Sequence, residues 1–193
     1  MQAEEAGRRL HEIRNWMHEG RRVMAESWRF QLGWGVLSSV GLIATWWAVR
    51  AEAWTALAWV WPLALLVGWL GSVVLARIAP ARARNQATRA VEGVWVGAGA
   101  TLTLVGLAGL VGGALPPAAL PGTVSAVLGG AYWATARVAG IGWLRGLAVI
   151  WWAGASFLLL FPSEHALLLL AAMALLFEAG PALILGRDGG ATP

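Results

Sequence analysis

The chain has 193 residues, of which 59% are hydrophobic and 12% charged, against roughly 45–50% and about a quarter in an ordinary soluble domain; this is the composition of a membrane protein. Its 14 basic residues are all arginine and outweigh 10 acidic ones, giving a net charge of +4, so no lysine is present to hold retinal or pyridoxal phosphate as a Schiff base. Cysteine is absent too, which excludes disulfides, thiol nucleophiles, thiolate metal sites and iron–sulfur clusters.

Residues 1–29 read as an amphipathic helix ahead of the membrane. Leu10, Ile13, Met17, Gly20, Met24 and Ser27 follow alternating steps of three and four, and Trp16 and Val23 widen the stripe. Glu5, Glu12, Glu19 and Glu26 recur every seven residues on another face, with Glu4 to Arg8, Glu5 to Arg9 and Arg22 to Glu26 placed to pair on adjacent turns. The apolar stripe needs a cover, and three are open. The helix can lie in the headgroup plane with Trp16 and Trp28 as anchors, pair with its own copy, or receive a cytosolic partner. Leu10, Ile13, Trp16, Met17, Met24 and Trp28 form the candidate partner or membrane-surface face.

Uncharged apolar stretches long enough to cross about 30 Å of hydrocarbon follow at residues 30–49 and 54–76. Residues 93–136 are also free of charge but too long for one span, and the Gly- and Pro-rich run 112–122 divides them into a third and a fourth. The fifth covers 145–161; Pro162-Ser163-Glu164 makes a turn in which Ser163 can cap a sixth, continuing to 185. The expected fold is therefore all-α and polytopic: an amphipathic helix over 1–29, a six-helix transmembrane bundle over 30–186 and a short tail, 187–193.

Arginine placement sets the orientation, because cytoplasmic loops keep basic residues and translocated ones lose them. Six arginines precede the first span, Arg77, Arg82, Arg84 and Arg89 separate the second from the third, Arg137 and Arg145 flank the turn between the fourth and fifth, and Arg187 follows the sixth. All of these fall on one side, and Arg50 alone on the other. Both termini are thus expected in the cytoplasm, in the inner membrane of a bacterium, with outer loops too short for a receptor domain. The charged segment ahead of the first apolar run fits an uncleaved anchor better than a cleavable signal. A pI of 11.2 invites a nucleic-acid reading, but the positive-inside rule and anionic lipid headgroups account for the same charges, so no direct nucleic-acid contact is expected.

Glu178 is the one carboxylate well inside a span. A charge there costs several kcal/mol unless protonated or paired. Arg137 and Arg145, at the cytoplasmic ends of the fourth and fifth spans, are its candidate partners, and two roles stay open: an ion pair that fixes packing, or a proton-linked or ligand-contacting group. Pro181, three residues on, removes a backbone donor and is placed to kink the sixth helix. His165 lacks a second intramembrane histidine, and His11 and His18 carry no other ligand spacing, so no metal, haem or other cofactor is expected. No nucleophile, oxyanion or phosphate-loop constellation points to catalysis.

Of 14 tryptophans, Trp28, Trp34, Trp46, Trp47, Trp54, Trp143, Trp151 and Trp152 are expected mostly towards span ends, as an interfacial belt. Trp59, Trp61, Trp69, Trp95 and Trp133 lie deeper and are pocket candidates for a flat apolar or cationic ligand, with lipid-facing or packed positions as the plainer alternative. Gly68 and Ser72, Gly93 and Gly97, and Gly129 and Gly130 are small enough to let helices approach closely. An inverted repeat of two three-helix units, common in transporters, is not visible.

The strings LHEIRNWMHEGRR, ESWRFQLGWGVLSSVGLIATWW, ARNQATRAVEGVWVGAGATLTLVGLAG and FEAGPALILGR together resemble a group of bacterial six-helix membrane proteins of no established activity. Their genes often stand beside one for a small winged-helix transcriptional regulator. The most specific part is Leu10-Ile13-Arg14 leading to Ser27-x-Arg29-Phe30 and a glycine-rich first span, and Arg145 looks like a matching arginine at the start of the fifth. The chain departs from the group at Glu178, where a histidine tends to stand, and at Trp151, where an acidic residue does. What the resemblance implies is a cytosolic regulator as partner, recruited or informed at the membrane.

Three functional readings follow. The leading one is a non-enzymatic sensory, regulatory or scaffolding membrane protein, coupled through residues 1–29 and 77–91 to a cytosolic partner. A small-molecule carrier or ligand-binding bundle using Glu178, Arg137 and the deep tryptophans is the second. The third is an accessory subunit of a larger membrane complex, and a homo-oligomer is open in each.

Overall fold

The computed structural model describes residues 28–78, 86–110, 112–113 and 115–183, together with Glu5. The amphipathic stripe from Leu10 to Met24, the middle of the arginine-rich link between the second and third helices, and the tail 187–193 lie outside the described residues. Among those described, all regular structure is helical: α1 (Trp28–Arg50), α2 (Trp54–Ile78), α3 (Gln86–Leu110), α4 (Leu120–Ala139), α5 (Trp143–Leu160) and α6 (Ala166–Leu183). α1, α2, α3, α5 and α6 are each long and apolar enough to cross a membrane, so the chain is a multi-pass helical membrane protein.

α4 is less apolar because it is the inner helix. Rich in Gly, Ala, Ser and Thr, it packs against α3 on one side and most extensively against α5 on the other. Shielded from lipid, its side chains need shape rather than hydrophobicity. Leu128, Ala131, Tyr132, Thr135, Ala136 and Ala139 are buried on it, and Leu144, Leu147, Ala148, Trp151, Ala155 and Leu158 on α5, both sets at helical spacing. A side chain at Gly122 or Gly129 would run into Leu159 and Trp152 respectively, so these glycines set how closely the two helices approach. Ser125 adds a hydrogen bond, its hydroxyl donating to the Trp151 carbonyl at 2.7 Å.

α2 lies on the outside and turns Trp59, Leu63, Leu66, Val67 and Leu70 outward. It is tied to α1 where the Trp34 indole covers Gly68 and donates to Ser72 Oγ at 2.9 Å, and to α3 where Trp69 meets Gly99. Gly68, Ser72 and Gly129 thus mediate close contact as expected, whereas a Cβ at Gly93, Gly97 or Gly130 would have nothing within 4 Å.

The helix ends follow local rules. Pro116-Pro117 opens a single 3-10 turn, Pro117–Ala119, ahead of α4, and Pro121 is tolerated in the first turn of α4, where its missing N–H has no partner to lose. Gly140, at φ 68°, ends α4 in the left-handed conformation that glycine adopts without steric cost. The start of α6 corrects the sequence expectation: His165 occupies the N-cap position, with no side-chain capping bond, and Ser163, two residues earlier, contributes its backbone carbonyl, to the Ala166 N–H at 3.1 Å, rather than its hydroxyl.

Candidate functional site

The sequence of α6 contains the seed of an irregularity. Pro181 has no N–H to give the carbonyl four residues earlier, Phe177, and its ring crowds that carbonyl. The helix responds with one π turn over Leu175–Ala179, in which the Gly180 N–H reaches back to the Leu175 carbonyl. Phe177 O is served instead by the Tyr132 hydroxyl of α4, which donates to it at 3.2 Å. Tyr132 is fully buried, and a buried phenol needs such an acceptor.

α1 grips the same turn from the other side. Gly35 stands so close to α6 that a Cβ there would lie 2.9 Å from the Ala179 nitrogen and 3.3 Å from the Ala174 carbonyl; only glycine permits this approach. One helical turn on, the buried Ser39 hydroxyl lies 2.7 Å from its own helix's Gly35 carbonyl and 3.0 Å from the Ala171 carbonyl of α6.

Glu178 sits inside this turn at 5% exposure, the only buried carboxyl among the described residues, next in the chain to Phe177, whose carbonyl Tyr132 serves. Arg137 and Arg145 do not join it: both side chains are exposed, and none of the ion pairs among the described residues involves Glu178. Their positions at the ends of α4 and α5 are as read from the sequence, but the rotation of each helix turns the guanidinium away from the core.

Around Tyr132 the core is aromatic and donor-rich. Trp95 of α3 meets its ring edge-on at 5.1 Å, and Trp151 of α5 lies nearly parallel to it, at 6.4 Å and 11°. The indole nitrogens of Trp95 and Trp151 and the Thr135 hydroxyl are buried donors without a hydrogen-bond partner among the described residues. An indole N–H only donates, so the two indoles can serve an acceptor and not a cation, whereas the threonine hydroxyl can donate or accept. Trp151 corrects an expectation, being fully buried rather than part of a belt. Successive residues on a helix point about 100° apart, so the Trp151-Trp152 pair splits, one indole inward and one outward.

The other pocket candidates do not converge. Trp59 faces outward at 61% exposure, Trp61 packs over Gly41, and Trp69 meets Trp34 edge-on. Trp133 is 40% exposed and leans on Trp152. Trp61 and Trp95 of the five pack against the buried core, Trp95 in ring contact with Tyr132; Trp28 opens α1, half-buried, with the Arg29 guanidinium over its ring at 5.5 Å.

At the opposite end of α6, Arg50 lies 3.8 Å from Glu164 and 5.2 Å from the Trp46 ring, which in turn neighbours His165. These exposed charges tie the end of α1 to the start of α6 with little energy. No three His, Asp or Glu side chains among the described residues are grouped to hold a metal.

Tyr132 is the residue that sequence reading passes over. Its signal is its rarity, one tyrosine beside 14 tryptophans, in a helix rich in small residues. No known protein family, curated protein or solved structure matches the chain.

Proposed function

We propose that this chain is a six-span, non-enzymatic protein of a bacterial inner membrane, with both termini cytoplasmic, and that it acts as a sensory or regulatory bundle read out by a cytosolic partner. The observation that carries the reading is the contact of the α6 π turn with Gly35. It places the least regular part of the bundle against α1, the helix that runs back towards residues 1–29 and their apolar stripe.

The sixth span is α4. Its 20 residues rise about 30 Å, the thickness of the hydrocarbon core, and its burial between α3 and α5 supports a crossing despite its modest hydropathy. The links at 51–53, 140–142 and 161–165 between neighbouring helices are short, which favours a task carried out within the bundle or at the arginine-rich face. A cytosolic transcriptional regulator is the partner that the sequence resemblance suggests. Removing residues 1–25 is expected to abolish co-purification of that partner while the remainder still resists extraction from membranes by alkaline carbonate. Undiminished co-purification would overturn the reading.

The burial of Glu178 favours a second reading, a ligand-binding or carrier bundle. In it Glu178→Gln removes substrate binding or uptake, without help from Arg137; a variant equal to the wild type in transport counts against it.

A further inference from the structure

The Glu178 region has an occupant to find, and its geometry limits what that occupant can be. Tyr132, Thr135, Ala136, Leu144 and Trp151 are all fully buried, in or beside the hydrophobic core that α4, α5 and α6 share. A metal ion would need more than one carboxylate or imidazole, and Glu178 is the only buried carboxyl among the described residues. A proton requires no volume.

We propose that Glu178 is a proton-binding site whose occupancy decides which acceptor the Tyr132 hydroxyl serves. This rests on the sensory reading above and names its signal. With the carboxyl protonated, Tyr132 donates to Phe177 O, the arrangement seen. Loss of the proton to the aqueous phase beyond the C-terminal end of α6 leaves a carboxylate, the stronger acceptor, on the residue next to Phe177. Tyr132 keeps its own proton and turns its hydroxyl to Glu178; Trp151 Nε1 and Thr135 Oγ1 are further buried donors without a partner among the described residues. Phe177 O then loses the Tyr132 donor, which the Pro181 nitrogen cannot replace, and the π turn repacks. Gly35 of α1 lies against that turn with no slack, so the repacking moves α1 and the segment ahead of it. Among the described residues no ion pair reaches Glu178; Tyr132 of α4 is the titratable group beside it, through its bond to the neighbouring Phe177 carbonyl, and Arg137 and Arg145 are exposed.

The test uses the full chain in lipid nanodiscs, followed by infrared difference spectroscopy while the pH is stepped from about 4 to about 10, a range that brackets ordinary carboxyl titration generously. The expected result is a carboxylic C=O band, slow to shift in heavy water because it is buried, that disappears over one transition and takes with it a change in near-ultraviolet circular dichroism from Trp95 and Trp151. Glu178→Gln is expected to lose the band and flatten the dichroism. Tyr132→Phe keeps the ring in place and is expected to displace both the band and the midpoint, which covers the case in which the glutamine variant does not fold. A wild-type chain with no slowly exchanging carboxyl band, or a folded Glu178→Gln with an unchanged transition, overturns the proposal. So does a Tyr132→Phe spectrum identical to the wild type. None of those results touches recruitment by residues 1–29, which the truncation tests separately.

Discussion

Tyr132 supplies at Phe177 the donor that a backbone amide supplies elsewhere along α6, and single substitutions should register that substitution of roles. Tyr132→Phe takes from the partly buried Phe177 carbonyl its side-chain donor, at a cost of about 1–3 kcal/mol, read as a lower melting temperature in detergent. Thr135→Val removes a buried hydroxyl that has no partner and keeps the shape, so its stability should equal or exceed the wild type's; a clear loss would reveal a partner. Gly35→Ala drives a methyl against Ala179 and should cost about 1–3 kcal/mol. Gly130→Ala, with open space around it, should gain up to about 1 kcal/mol from helix propensity. Of these residues only Glu178 was legible in the sequence as a site, since a carboxyl amid apolar neighbours is visible at once. Arg137 and Arg145 were read as its partners because sequence gives depth along a helix and not the rotation that turns their side chains outward.

In α6 the irregular turn and Pro181 belong together, and that coupling can be measured. Pro181→Ala restores an N–H able to reach Phe177 O, so the π turn should relax to ordinary α-helix and Tyr132 should lose its special task. In a double-mutant cycle, Tyr132→Phe should then cost less in the Pro181→Ala background than alone, by about 1 kcal/mol. Additive costs would separate the tyrosine from the turn. The proline made a distortion near Glu178 readable in advance, but its form was not, because whether a helix kinks or inserts a residue depends on which neighbour satisfies the freed carbonyl. α4 teaches the same lesson from the opposite side. Its span was legible from the absence of charge between Gly93 and Ala136, yet its low hydropathy makes sense only once α3 and α5 are seen to cover it. The paired indoles Trp151 and Trp152 likewise divide between core and surface by helix phase, which composition does not report.

Across the whole molecule, the asymmetry of arginine predicts a topology that the absence of native cysteine makes simple to check. Single replacements Glu52→Cys and Ser163→Cys should be labelled by a membrane-impermeant maleimide added outside intact spheroplasts, and Gly142→Cys only after lysis. Labelling of Gly142→Cys from outside would break the six-span arrangement, since it would place the ends of α4 and α5 on the wrong side. With that arrangement, the short outer links leave the bundle's business to its interior and its cytoplasmic face. On the proposal above, the close approach of Gly35 to the π turn is the link between the two. The measurement that tests the central claim most directly is native mass spectrometry of the full chain extracted gently from its own host. The account predicts a complex with a cytosolic protein in fixed stoichiometry, absent when residues 1–25 are removed; a bare bundle, or one carrying only a stoichiometric small molecule, would contradict it.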